Sequence, residues 1–112
     1  MSISTHVLDT ARGRPAAGVP VTLSHRGSDG AWSVVGKGVT DADGRVRELS
    51  ESGGLAAGVY RLDFDTARYF EAQGSRGFYP EVSVVFTLPD YGEHLHMPLL
   101  LSPFGYATYK GT

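Results

Sequence analysis

Hydrophobic and polar residues alternate with a period of two along most of this chain. The alternation is broken about every eight to twelve residues by Gly, Pro, Asp or Ser, the spacing of short strands in a sandwich or barrel. Strands are expected over residues 6–9, 19–26, 32–37, 45–49, 59–65, 81–88, 94–101 and 104–111. In the second, Val19, Val21 and Leu23 share a face; in the fifth, Tyr60, Leu62 and Phe64 point inward while Arg61, Asp63 and Asp65 point out. Val82, Val84, Phe86 and Leu88 form a further apolar face. The connections have turn chemistry: residues 11–18, Asp29–Gly30 as a hairpin signal, Asp41, Asp43 and Gly44, a loop over 50–58, a turn over 88–93, and 102–105 between the last strands. One short helix fits residues 67–73, with Asp65 or Thr66 as N-cap and Gly74 at its end. The pattern therefore predicts an all-β fold of eight strands, a sandwich or a barrel, with one helix, in a single domain spanning residues 1–112.

Composition narrows the function classes. A chain of 112 residues with 41% hydrophobic and 20% charged residues is a folded domain with a modest core, to which association through an exposed face adds stability. The net charge of −2 and the scattered Arg and Lys residues argue against nucleic-acid binding. The absence of cysteine excludes disulfides, thiolate metal sites and a Cys nucleophile. The first residues have no apolar segment of the secretory kind, and no apolar run is long enough to span a membrane, so a soluble cytoplasmic protein is expected.

Familiar catalytic motifs are missing: there is no G-x-S-x-G, phosphate loop or H-E-x-x-H. Four histidines carry the remaining signal. His94 and His96 are two apart and point to the same side of a strand. Such a pair can line a half-exposed sheet face, act in acid–base chemistry or bind a metal, with His6 as the available third ligand. His25 continues the face of Val19, Val21 and Leu23 and is expected at a strand end on the surface. Arg45 follows the Asp43–Gly44 turn; it is either a solvated strand end or a fork of donors for an anionic oxygen. The end of the chain, FGYATYKGT, has three aromatic residues where termini are usually polar and frayed, which suggests an edge that pairs with another subunit.

The segments STHVLDTARGRPAAGVPVTL, TDADGR and HLHMPLLLSPFGYATYKGT resemble the transthyretin-like family, and within it the 5-hydroxyisourate hydrolase branch. The likeness covers the whole chain. It implies an eight-stranded two-sheet sandwich (transthyretin-like) that assembles as a homotetramer, a dimer of dimers with sites at the dimer–dimer interface, acting in urate (purine) degradation. The implied reaction converts 5-hydroxyisourate to 2-oxo-4-hydroxy-4-carboxy-5-ureidoimidazoline. The family's site motifs fall on His6, Arg45 and His96 as catalytic residues, and on Tyr109, Lys110, Gly111 and Thr112 as substrate-binding residues. The hormone-carrier branch lacks both histidines and the arginine. The resemblance implies no cofactor and no metal; zinc on the H-x-H pair would inhibit. The hydrolase tail usually reads Tyr-Arg-Gly-Ser, whereas this chain has Tyr-Lys-Gly-Thr, and Lys does not replace the bidentate fork of Arg. Two other readings stand beside the hydrolase: a tetrameric carrier of a small aromatic ligand, and a hydrolase of a different cyclic amide.

Overall fold

The computed structural model describes residues 2–50, 54–90 and 94–112, so parts of the loop expected over 50–58 and of the turn over 88–93 lie outside the described residues. Among them are nine strands and one helix. The strands are β1 (Ser2–Asp9), β2 (Arg14–Pro15), β3 (Pro20–Arg26), β4 (Trp32–Val39), β5 (Arg45–Val46), β6 (Gly58–Phe64), β7 (Val82–Leu88), β8 (His94–Ser102) and β9 (Gly105–Thr108). The helix α1 is Thr66–Ala72, between β6 and β7. One sheet runs β2-β1-β8-β9 with β5 also paired to β1, and the other runs β4-β3-β6-β7. All neighbours are antiparallel except β1 and β8, which run parallel and in register from Ser2↔His94 to Asp9↔Leu101.

The two-sheet fold and its helix are those expected, and the differences are local. β1 begins at Ser2 rather than residue 6, because Ser2 and Ser4 occupy the outer face between the inward Ile3 and Thr5. The segment 11–18, expected as a turn, contributes the two-residue β2, which pairs Leu8↔Pro15 and Asp9↔Arg14. β5 stops at Val46, yet the chain stays beside β1 because the Leu49 amide donates to the Ile3 carbonyl. β9 ends at Thr108, and the chain then touches the sheet again through a bridge between Gly111 and His96.

Between the sheets lie the inward residues of every long strand. Ile3 and Val7 of β1, and Leu95, Met97, Leu99 and Leu101 of β8, meet Val21 and Leu23 of β3 and Tyr60, Leu62 and Phe64 of β6. Burying a large apolar side chain is worth about 1.5–3 kcal/mol, so this layer supplies most of the driving force. The helix is capped at its N-terminus by the Asp65 carboxylate, which accepts from the Arg68 amide. Gly74 follows the helix at φ +71°, a conformation that an L side chain rarely adopts. No helix among the described residues is long and apolar enough to cross a membrane.

One buried polar group ties helix to sheet. Asp9, only 3% exposed, accepts the Tyr69 hydroxyl at 2.7 Å and the amides of Ala11 and Arg12 at 3.1 and 3.0 Å. Burial, and then the adjoining Asp9 carboxylate, push the Tyr69 phenol up to about 12. The unfolded chain loses that proton near pH 10, whereas the native protein keeps it to about 12. Between those values the unfolded state binds fewer protons, so stability falls as pH rises through the window. Tyr69→Phe is expected to lose about 1–3 kcal/mol at neutral pH, measured by urea denaturation. It should also lose stability less steeply than the parent chain between pH 10 and 12.

Candidate active site

The outer face of the β1–β8 pair is polar, and the register decides what meets there. Ser2 stands opposite His94, Ser4 opposite His96, and His6 opposite both Pro98 of β8 and Arg45 of β5. Paired residues share a face of a sheet, so two histidines of β8, one of β1 and one arginine of β5 converge. The His6 and His96 ring centroids are 6.4 Å apart. Both side chains are half-buried, whereas His94 is exposed.

Arg45 owes its position to the preceding turn. The Asp41 carboxylate accepts the amides of Asp43 and Arg45 at 2.9 and 3.0 Å, and the Gly44 amide returns to the Asp41 carbonyl at 2.9 Å. The Arg45 amide is the main reason that the Asp41 carboxyl is held below the usual range. Gly44 has φ +77°, and a Cβ there would lie 2.4 Å from the Val7 carbonyl oxygen. Only glycine fits, and its own carbonyl accepts the Val7 amide at 2.7 Å. The turn is thereby fixed against β1 with Arg45 opposite His6.

Hydrogen bonding constrains the rings. His6 Nε2 lies 2.9 Å from the Asp43 carbonyl oxygen, which can only accept. His6 therefore carries a proton on Nε2, and Nδ1 is its acceptor while the ring is neutral. Ser4 Oγ lies 2.7 Å from His94 Nε2 and 2.8 Å from His96 Nδ1, and Ser2 Oγ lies 2.6 Å from His94 Nδ1. Burial holds His96 below the ordinary histidine range, and the positive charge of Arg45, His6 and His94 adds to the effect. His96 is thus a neutral imidazole at pH 7, able to donate or accept a proton.

The tail residues divide. The Gly111 amide donates to the His96 carbonyl at 2.8 Å, which brings the chain end against the histidines. A Cβ at Gly111 would lie 2.9 Å from His96 Cδ2, so the approach requires glycine. Tyr109, Lys110 and Thr112 flank it and are exposed, and their side chains make no hydrogen bond to the histidine rings among the described residues. His25, expected as a surface strand end, is half-buried and packs its ring 4.9 Å from that of Tyr60, away from this group.

Sequence reasoning overlooked Ser2, Ser4 and Arg47. The period-two spacing of Ser2, Ser4 and His6 was the available signal for the serines, hidden because polar residues at the start of a strand look like loop. Arg47 joins Arg45, Ser4 and His94 in lining a concavity of about 150 Å³, a basic recess suited to an anion. Its ion pair among the described residues, 3.7 Å from exposed Asp43, is solvent-screened and weak. A wider concavity of about 910 Å³ runs along the helix and residues 74–80 and contains Glu71 and Arg76 but no histidine. Its size does not compensate for the lack of a group that titrates near neutrality. Among the described residues, no three His, Asp or Glu side chains cluster as a metal would require.

The sequence matches the HIUase/Transthyretin family over residues 3–111. The chain belongs to that family. Within it, the chain is 43% identical over 110 residues to 5-hydroxyisourate hydrolase of Salmonella typhimurium, covering 98% of this chain and 80% of the relative. Its fold is similar to that of Klebsiella pneumoniae 5-hydroxyisourate hydrolase, with a TM-score of 0.87, 35% identity and complete coverage of both chains. It is also similar to sea bream transthyretin in complex with thyroxine, with a TM-score of 0.91, 39% identity, and 97% and 93% of the two chains covered. Fold and overall identity therefore do not separate the two branches of the HIUase/Transthyretin family, and the side chains on the β1–β8 face must.

Two measurements probe this face. Arg45→Gln removes one cause of the lowered His96 pKa, so NMR titration should show that pKa move up towards 6.5, with burial keeping it from rising fully. Gly111→Ala should release the tail, seen as faster hydrogen exchange at the residue 111 amide and shifted His96 ring resonances at nearly unchanged thermal stability.

Proposed function

We propose that this chain hydrolyses 5-hydroxyisourate to 2-oxo-4-hydroxy-4-carboxy-5-ureidoimidazoline. The observation that carries the reading is the convergence of His6, Arg45 and His96 on one sheet face, in a chain whose relatives include named 5-hydroxyisourate hydrolases. Opening the ring forms a bond between a water oxygen and the ring carbonyl carbon and breaks the C–N bond. The water proton needs an acceptor and the departing nitrogen a donor. His6, with its proton held on Nε2 by the Asp43 carbonyl, takes the water proton at Nδ1. His96, neutral at pH 7, gives a proton to the nitrogen from Nε2. Arg45, with Arg47 beside it, holds the anionic substrate and the developing oxyanion. Tyr109, Lys110, Gly111 and Thr112 complete substrate binding from the tail. These groups account for every proton transferred, so the reaction needs no cofactor.

The substrate site is completed by assembly. Phe104 and Tyr109 are 79% and 56% exposed, and Val34, Val39 and Val85 leave apolar side chains on the outer face of the second sheet. Such surface favours a homotetramer, a dimer of dimers whose dimer–dimer interface covers the histidine face and brings the tails in. A cysteine-free chain is at home in the reducing cytoplasm, to which we assign it.

The test is the decay of freshly generated 5-hydroxyisourate, followed by ultraviolet absorbance. Purified protein should accelerate it, and Arg45→Ala should lower kcat/KM about 100- to 1,000-fold. No acceleration combined with tight binding of an aromatic ligand would favour the carrier reading, to which the thyroxine-bound sea bream neighbour lends support. Turnover of another cyclic amide but not of this one would trace to Lys110 and Thr112. Activity should survive a chelator, and loss that zinc restores would overturn the metal-free mechanism.

A further inference from the structure

We propose that Ser4 and His94 are positioning residues that hold His96 in the tautomer bearing its proton on Nε2. The inference rests on the hydrolase reading, which decides between the two tautomers that the geometry allows. Ser4 Oγ bridges two imidazoles, 2.7 Å from His94 Nε2 and 2.8 Å from His96 Nδ1. Ser4 is 8% exposed, and these are its two side-chain hydrogen bonds among the described residues. A buried hydroxyl proton left without an acceptor is costly, so Ser4 donates to one ring and accepts from the other.

With both rings neutral, two arrangements satisfy this. In one, His94 Nε2–H donates to Ser4, Ser4 donates to His96 Nδ1, and His96 presents Nε2–H. In the other, every donor is reversed and His96 presents a bare Nε2. The far nitrogen of His94 meets Ser2 Oγ at 2.6 Å, and a hydroxyl accommodates either sense there. The choice falls to the reaction. His6 is already the ring with a free acceptor, because the Asp43 carbonyl takes its Nε2 proton. A second acceptor would leave the departing nitrogen without a proton. The arrangement that serves the chemistry runs from His94 through Ser4 to His96 and makes His96 the donor. Neither Ser4 nor His94 need touch the substrate for this.

Two readouts test the inference. In the free protein at neutral pH, histidine-ring ¹⁵N spectra should show His96 protonated on Nε2, with Nδ1 as a hydrogen-bonded acceptor. Ser4→Ala should move the Nδ1 resonance to that of an unbonded ring nitrogen. A wild-type His96 protonated on Nδ1, or a resonance untouched by Ser4→Ala, overturns the proposal. This readout needs no substrate, so the tautomer is measured separately from turnover, and a failure of one is told apart from a failure of the other. With turnover present, Ser4→Ala should lower kcat about 10- to 100-fold, within the contribution of a positioned acid–base group, and leave KM within about twofold. His94 is exposed, so its substitutions are tolerated by the fold. His94→Leu should lower kcat, and His94→Gln, whose amide N–H reaches the same oxygen, should restore most of it. Gln no better than Leu, or Ser4→Ala with wild-type kcat, counts against the positioning role.

Discussion

The parallel pairing of β1 with β8 lays residue 2 beside residue 94 and residue 9 beside residue 101 without a bulge. Its inner face supplies Ile3, Val7, Leu95, Leu99 and Leu101 to the core, and its outer face supplies the serines and histidines. Because side chains alternate, a slip of one residue would bury the imidazoles and expose the core leucines. Apolar packing on one side thus fixes the polar geometry on the other. The site needs no scaffold of its own, since its register is enforced by the hydrophobic effect acting through the sheet.

Around that pair, smaller devices finish the arrangement by close approach of backbone. The Asp41–Arg45 turn can lie on β1 only because Gly44 has no side chain, and the tail can lie on β8 only because Gly111 has none. The first sets where a guanidinium stands, and the second sets where the chain end stands. Both glycines act by omission. Asp9, clamped by Tyr69, holds the other end of β1 so that the strand is pinned at both extremities.

Much of this was legible in the residues. The alternation in residues 59–65 and 81–88 identified inward faces, and the Asp-Ala-Asp-Gly turn identified the loop that presents Arg45. The H-x-H spacing identified a shared face, although not whether it served acid–base chemistry or a metal. Serine at positions 2 and 4 hid the start of β1, because a polar outer face at a strand end has the composition of loop. The two-residue β2 left no periodic trace at all. Nor could local pattern show that the first strand lies beside the eighth, since pairing between distant segments has no signature within either. The resemblance to the transthyretin-like family placed His6 and His96 in one site, and the structure supplied the strand pairing behind it and the bridging serine that neither spacing nor resemblance had singled out.

The three bonds linking serines to histidines span 92, 90 and 92 positions of sequence. Closing loops of that length costs more chain entropy than local pairing, which slows the formation of such contacts. During synthesis Ser2 and Ser4 emerge first and must wait for β8 before they meet a ring. The histidine group therefore records that the chain has reached β8: a chain that stops short of it can pair His6 with Arg45 and yet lacks the second imidazole of the site.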